Sequence, residues 1–381
     1  MIFYDFFCNF NFFLYFYAAK SKPIPITIMK PFRQATIKDI ARELGISAST
    51  VSRALKDHPD ISPETKEAVR SVADKLDYQP NALALGLHNQ RSKIIGIIIP
   101  EIQHHFFSSV ISGITETARN AGFNVIICPS DESVEREKEN IRSLVSLRVE
   151  GILISITKET NDYAHFQKLM NRNVPVVFFD RPPEGFACDR CIIDDYAAAY
   201  TATEHLVSLG RKKIVHFAGP NNVRIGKDRR RGFVDCLKRH KMPITDDTIF
   251  DCDSHDKAVE VIKKLRDEDN IPDAIFAVND ITAVTTVNEL NKYGIRVPEK
   301  VAVVGFTNGL LSELSSPMLT TIDQNGQLIG EKATKLLLER IETHVLTPYQ
   351  TAVVPTKLMV RGSTVADSGA EEISARASAN V

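Results

Sequence analysis

Five side chains between Gly45 and Leu55, in the stretch GISASTVSRAL, are of the types that read nucleic acid: Ala48, Ser49, Thr50, Ser52 and Arg53. Hydroxyls and a guanidinium hydrogen-bond base edges and phosphates in the major groove, and small residues let a helix backbone approach the groove floor. Their spacing places them on the outer face of a short helix whose inner face is Val51, Ala54 and Leu55. A second set lies far downstream. Arg229, in DRRRGF, offers a planar donor fork suited to hydroxyl pairs or carboxylates. Asp180 and Asp280 each follow an apolar run. A carboxylate there either accepts ligand hydroxyls or only caps a helix, and the residues alone leave both readings open. His104 and His105 follow another such run, with no further ligands at metal-binding spacing, so they read as pocket wall or surface.

The other candidates are weaker. Six cysteines are sparse, and Cys188 and Cys191 form the only C-x-x-C. No second pair completes a zinc site, so no metal and no cofactor is expected, and the chain reads as a reduced cytoplasmic protein. The net charge of -1 names no partner. Residues 30–93 are mildly basic, with 11 Lys/Arg against 8 Asp/Glu, which is compatible with a nucleic-acid-binding front on an acidic body. Residues 1–29 begin with a Phe/Tyr-rich run broken by Asp5, Asn9 and Asn11. It lacks a basic n-region and is too punctuated for a membrane span. The expectation is an artefactual upstream start, with Met29 as initiator and no membrane partner; the alternative is a membrane-tethered sensor-regulator.

The elements that position these residues follow from pattern. Thr36-x-x-Asp39 is a cap, Ile37, Ile40, Ala41 and Leu44 share one helical face, and Gly45 ends the helix. Ser47 caps the second helix, and Ser62-Pro63 opens a third carrying Val69, Val72, Ala73 and Leu76. Residues 36–79 are thus an all-α helix-turn-helix headpiece. Residues 80–93 read as a connector. From Ile94 the chain alternates apolar strand-like runs with amphipathic helical stretches, which argues a doubly wound α/β body of parallel sheets. About 270 residues is large for a single sheet, so 94–362 reads as two similar lobes. Residues 363–381 read as a polar, unstructured tail.

These motifs resemble the lactose repressor/galactose repressor (LacI/GalR) family of bacterial transcription regulators. The resemblance starts with ATIKDIARELGISASTVSRALKD and ISPETKEAVRSVADKLDYQPNALA. It continues through SKIIGIIIPEI, VPVVFFDR, HLVSLGRKKIVHFAGP, RRRGF, FAVNDITA and LTTIDQN. It implies a periplasmic-binding-protein-like body that closes over a small sugar or related metabolite. It implies DNA contacts from Thr36, Ala48, Ser49, Thr50, Ser52 and Arg53, and from a hinge helix over Asn81–Leu87 whose Leu87 enters the minor groove. Leu85 stands there where arginine is common, and Gly86 weakens that helix. It implies an effector site built from Phe106, Phe107, Asp180, Arg229, Asp280 and Gln324. The family often carries an acidic residue at Thr307, to which no role is given.

The function expected is therefore a ligand-responsive, sequence-specific DNA-binding regulator, a repressor acting as a homodimer on a palindromic operator. An enzyme is the rival reading. It is disfavoured because the sequence has no Walker A loop, nucleophile elbow or phosphate-cradling glycine repeat.

Overall fold

The computed structural model describes residues 35–79 and 91–365. The chain divides into two compact units, residues 1–85 and 86–381. Asn81 and Leu87, and with them the hinge expectation, lie outside the described residues.

In the first unit, α1 (Ile37–Leu44), α2 (Ala48–Leu55) and α3 (Pro63–Lys75) enclose Ile40, Val51, Ala54 and Val69, all fully buried. Each start is fixed by a side-chain cap. Thr36 and Asp39 form a reciprocal capping box, Ser47 Oγ accepts from the Thr50 amide, and Ser62 Oγ accepts from the Thr65 amide. Gly45 ends α1 at φ +65°, where a Cβ is strained and glycine is not, which makes the tight turn into α2.

The second unit has two lobes. The first contains β1 (Ile94–Ile99), α4 (His105–Asn120), β2 (Asn124–Pro129), α5 (Val134–Ser146), β3 (Gly151–Ile154), α6 (Ala164–Met170), β4 (Val176–Phe179) and β5 (Asp189–Ile193). The chain then crosses into the second lobe with α7 (Asp195–Ser208), β6 (Ile214–Ala218), α8 (Arg224–Arg239), β7 (Ile249–Asp251), α9 (His255–Asp267), β8 (Ala274–Ala277), α10 (Asp280–Lys292), β9 (Ala302–Thr307), α11 (Leu310–Leu314) and β10 (Thr320–Asp323). It returns with α12 (Gly326–Thr343) and β11 (Thr351–Val354), then crosses a third time to β12 (Lys357–Met359).

The first sheet has order β11-β5-β4-β3-β1-β2 and is parallel throughout. The second has order β12-β10-β9-β8-β6-β7, parallel except for the antiparallel β10–β12 pair. Helices cover both faces of such sheets, which is why central strands such as Ile95–Ile99 and Ala274–Ala277 are buried apolar runs. α4 and α12 approach closely because Gly113 and Gly330 carry no side chain. A Cβ on either would lie 2.1 Å from a carbonyl oxygen of the other helix.

One expectation is corrected. The body does not end at Gly362. Ser363 and Thr364 are buried in the second lobe, with Ser363 Oγ accepting from the Thr320 amide and donating to the Val303 carbonyl. Cys188 and Cys191 pack into different apolar cores on either side of the first sheet and cannot share a ligand.

Candidate functional site

The outer face of α2 is as its spacing predicts. Ala48, Ser49 and Arg53 are exposed, and Thr50 and Ser52 are half-buried. The hydroxyls form a small cluster, with Ser47 Oγ 2.7 Å from Ser49 Oγ and 2.8 Å from Thr50 Oγ1. Arg53 forms no ion pair among the described residues, so its guanidinium is available to an external anion or base edge. Thr36 sits at the start of α1, where its hydroxyl bonds Asp39 Oδ2 at 2.7 Å.

In the second unit a cavity of about 370 Å³ opens between the lobes. Its wall comes from the C-terminal ends of strands in both sheets, where open α/β sheets bind ligands. The first lobe supplies Glu101, His104, Phe106 and Phe107 beyond β1, Lys158 beyond β3, and Asp180 and Arg181 beyond β4. The second supplies Pro220, Gly226 and Arg229 beyond β6, Asp253, Ser254 and His255 beyond β7, Asn279 beyond β8, Thr307 at the end of β9, and Gln324 beyond β10.

Arg229 is held rigidly. Its Nε donates to Asp195 Oδ1 at 2.8 Å, its Nη1 donates to the Val278 carbonyl at 2.8 Å, and its guanidinium lies 3.6 Å over the Phe306 ring. That leaves Nη2 without a protein partner among the described residues. Burial pushes the Asp195 carboxyl up to about 6, against the pull of Arg229. Arg181 donates through Nη1 to Glu132 Oε1 at 2.8 Å, and its Nε lies 3.6 Å from Asp180 Oδ2. Burial also raises Asp180, opposed by Arg181 and Arg229. Lys158 reaches across the cleft to Asp253 Oδ2 at 3.2 Å. Burial, then the cations Arg181, Lys158 and Arg229, push His104 down to about 4, so its imidazole is neutral near pH 7. Three cations, Lys158, Arg181 and Arg229, thus face three acids, Glu101, Asp180 and Asp253.

Phe106, Phe107, Asp180, Arg229 and Gln324 all lie in this wall. The two phenylalanines meet edge to face at 5.2 Å. Asp280 does not line the cavity. It is the first residue inside α10, one position past the Asn279 cap, and its carboxylate turns into the second lobe. Oδ1 accepts from Thr321 Oγ1 at 2.6 Å and Oδ2 accepts from the Gly309 amide at 2.7 Å. Its neighbour Asn279 faces the cavity instead.

Sequence reasoning missed Arg181, Lys158, Asp195 and Asp253. Arg181 had a signal, since it directly follows Asp180 at a strand end. Thr307, given no role, lines the cavity at φ +144°, a conformation that costs energy for any residue with a Cβ.

A three-helix DNA-reading headpiece joined to a two-lobed, cleft-bearing body defines a ligand-responsive DNA-binding regulator. Residues 36–81 match the model of bacterial regulatory proteins of the lacI family. Residues 92–359 match that of periplasmic binding proteins and the sugar-binding domain of the LacI family. The chain belongs to the LacI family of DNA-binding transcription regulators. It is 30% identical over 340 residues to the ribose operon repressor of Halalkalibacterium halodurans, covering 88% of this chain and 99% of that one. It is 33% identical to the HTH-type transcriptional repressor PurR of Vibrio parahaemolyticus, covering 81% of this chain and 92% of that one. Among solved structures it is similar to the lac repressor dimer bound to operator and the anti-inducer ONPF, with TM-score 0.76, 25% identity, and 87% and 100% of the two chains covered. It is also similar to the transcriptional regulator CelR–cellobiose complex, with TM-score 0.66, 26% identity, and 87% and 100% covered. No helix of the described residues is long and apolar enough to cross a membrane.

Proposed function

We propose that this chain is a cytoplasmic, non-enzymatic repressor that binds a palindromic operator as a homodimer and responds to a neutral, polyhydroxylated effector of sugar type. The carrying observation is the charge balance of the cavity wall. Its three cations and three acids face one another in the same cleft, and His104 stays neutral near pH 7. A charged effector would add an unpaired charge to a wall whose cations already have partners, Arg229 in Asp195, Arg181 in Glu132 and Lys158 in Asp253. A neutral polyol instead exchanges hydroxyl hydrogen bonds with both signs of partner. The two phenylalanines both come from the first lobe, and the second lobe offers no facing phenyl or indole ring. That arrangement suits the apolar face of one sugar ring better than a base sandwiched between two rings. The cellobiose complex of the similar CelR regulator supports the same class.

The homodimer is supported by an apolar patch on α11 and the following loop. There Leu310, Leu311, Leu314 and Met318 are exposed, Leu314 at 72%. Clustered exposed leucines mark an interface. A thermal-shift and calorimetry panel of neutral pentoses, hexoses and disaccharides, sugar phosphates and nucleobases tests the effector class. A neutral sugar binding most tightly is expected, and tighter binding of a phosphate or a base overturns the reading. Leu314→Glu is expected to sediment as a monomer and to lose operator affinity.

A further inference from the structure

Away from the cavity, α7 and α8 of the second lobe pack side by side. Gly232 makes this possible: a Cβ there would lie 2.4 Å from the Tyr196 carbonyl oxygen and 3.0 Å from the Tyr200 nitrogen. Further along the two helices, Glu204 meets both Cys236 and His240. Cys236 lies in α8 and His240 is its C-cap, four residues on, so both face α7. Cys236 Sγ donates to Glu204 Oε2 at 3.3 Å, and His240 Nε2 lies 2.7 Å from the same oxygen.

We propose that Glu204, Cys236 and His240 form a binding site for a zinc-like divalent cation. One thiolate, one imidazole and one carboxylate form a donor set that suits zinc. Ligand atoms at about 2.0–2.3 Å from a tetrahedral ion stand about 3.3–3.8 Å apart. The three donor atoms here all lie within 4.8 Å of one another. The sulfur–oxygen separation of 3.3 Å already matches, and the nitrogen–oxygen contact of 2.7 Å needs only a slight opening. Burial differs in a useful way across the three. Cys236 is fully buried, whereas the side chains of Glu204 and His240 are 42% and 33% exposed. An ion can therefore arrive from solvent onto the carboxylate and imidazole and seat on the sulfur beneath, with water completing the tetrahedron.

The protons balance. Free Cys236 is a thiol, which burial and then Glu204 push up to about 12. The cation replaces the thiol proton, which leaves to solvent, and the sulfur–metal bond replaces the S–H bond. The ion also displaces the His240–Glu204 contact, so Nε2 presents its lone pair and the imidazole proton resides on Nδ1. None of the three residues lines the effector cavity, yet the two helices also carry Asp195 and Arg229, the buried pair at the cavity wall. The ion would clamp those helices at their opposite ends.

Cobalt(II) titration of the reduced, metal-stripped full-length protein tests the site. A near-ultraviolet thiolate-to-cobalt charge-transfer band is expected to saturate at one ion per chain and to disappear on adding zinc. Cys236→Ser should abolish the band, while Cys252→Ser, at another buried thiol, should keep it. His240→Gln and Glu204→Gln alter exposed side chains and keep the thiol. Each should weaken cobalt binding by about tenfold or more, as a lost ligand does at least as much as a lost supporting partner. Zinc should raise the melting temperature of the wild type but not of His240→Gln. Absence of the band, its persistence in Cys236→Ser, or wild-type affinity in His240→Gln and Glu204→Gln would each overturn the proposal. If Cys236→Ser fails to fold, the two glutamine variants decide it.

Discussion

Arg229 does two jobs that mutation can separate. Arg229→Ala removes a donor from the cavity and also strands Asp195, whose carboxylate it holds at 2.8 Å in a buried position. Breaking one side of a buried pair costs about 3–5 kcal/mol, chiefly through the charge left behind. The single variant should therefore bind effector weakly and melt early. Arg229→Met with Asp195→Asn should recover much of the stability and none of the affinity. Calorimetry and thermal unfolding on the same samples check both; recovered affinity in the double variant would remove Arg229 from the effector site. In the headpiece, Arg53→Ala should lose operator affinity and leave effector binding unchanged, because Arg53 is exposed, forms no ion pair among the described residues and belongs to the first unit. Ser49 variants should shift base preference by about 1–3 kcal/mol per mismatched pair in a randomised-operator selection.

Among the elements, the N-terminal turn of α8 is the one whose position the cavity depends on most. Gly226 sits there because a Cβ would lie 2.1 Å from the Pro220 carbonyl oxygen, a backbone atom of the adjoining cavity loop. Gly226→Ala must push the helix from the loop and move Arg229, one turn on. Overpacking of this kind costs about 1–3 kcal/mol, and effector affinity should fall with it even though no ligand-facing side chain changes. Wild-type affinity in a destabilised Gly226→Ala would show that α8 can shift without disturbing Arg229. The elements also explain what was legible in the sequence. Strands buried on both faces, such as Ile94–Ile99, are unbroken apolar runs and could be read directly. β5 could not, because Asp189 stands inside it to receive a bidentate contact from Arg340 of α12, at 3.0 and 2.9 Å. With β5 hidden, Asp195 just beyond it was hidden too. Asp280 misled for a related reason. An acid after a strand looks the same whether it faces the cleft or lies one residue inside a helix, and only the fold shows that Gly305 leaves room for its carboxylate within the lobe.

For the molecule as a whole, buried histidines set how the body meets acid. His216 is fully buried on β6, stacked on Phe276 at 4.6 Å. Its Nδ1 lies 2.9 Å from the Phe276 carbonyl, to which it donates, and its Nε2 is buried with no partner among the described residues. Protonation would place an N–H against apolar neighbours with no acceptor. Burial accordingly pushes His216 down to about 3, and burial pushes His205, on α7, down to about 4. Both are lowered from an unfolded value near 6.5, so between that pH and their folded values the unfolded chain holds more protons than the native one. Their contribution to stability is fully present above about pH 6.5 and is lost progressively as pH falls towards 4, at about 1.4 kcal/mol per unit for each group. Asp195 acts in the opposite sense, since its raised value of about 6 makes the native state the better proton binder between about pH 4 and 6. His104, also held low, adds to the loss, while Asp180 and Asp280, raised by burial, oppose it with Asp195; the three histidines are the groups that lose stability as pH falls from 6.5. The melting temperature should fall steadily from pH 7 to pH 5. His216→Gln, which keeps a donor but cannot titrate in this range, should melt lower at pH 7 and show a shallower pH slope. A slope equal to the wild type's would mean that His216 is not among the groups that couple folding to protons.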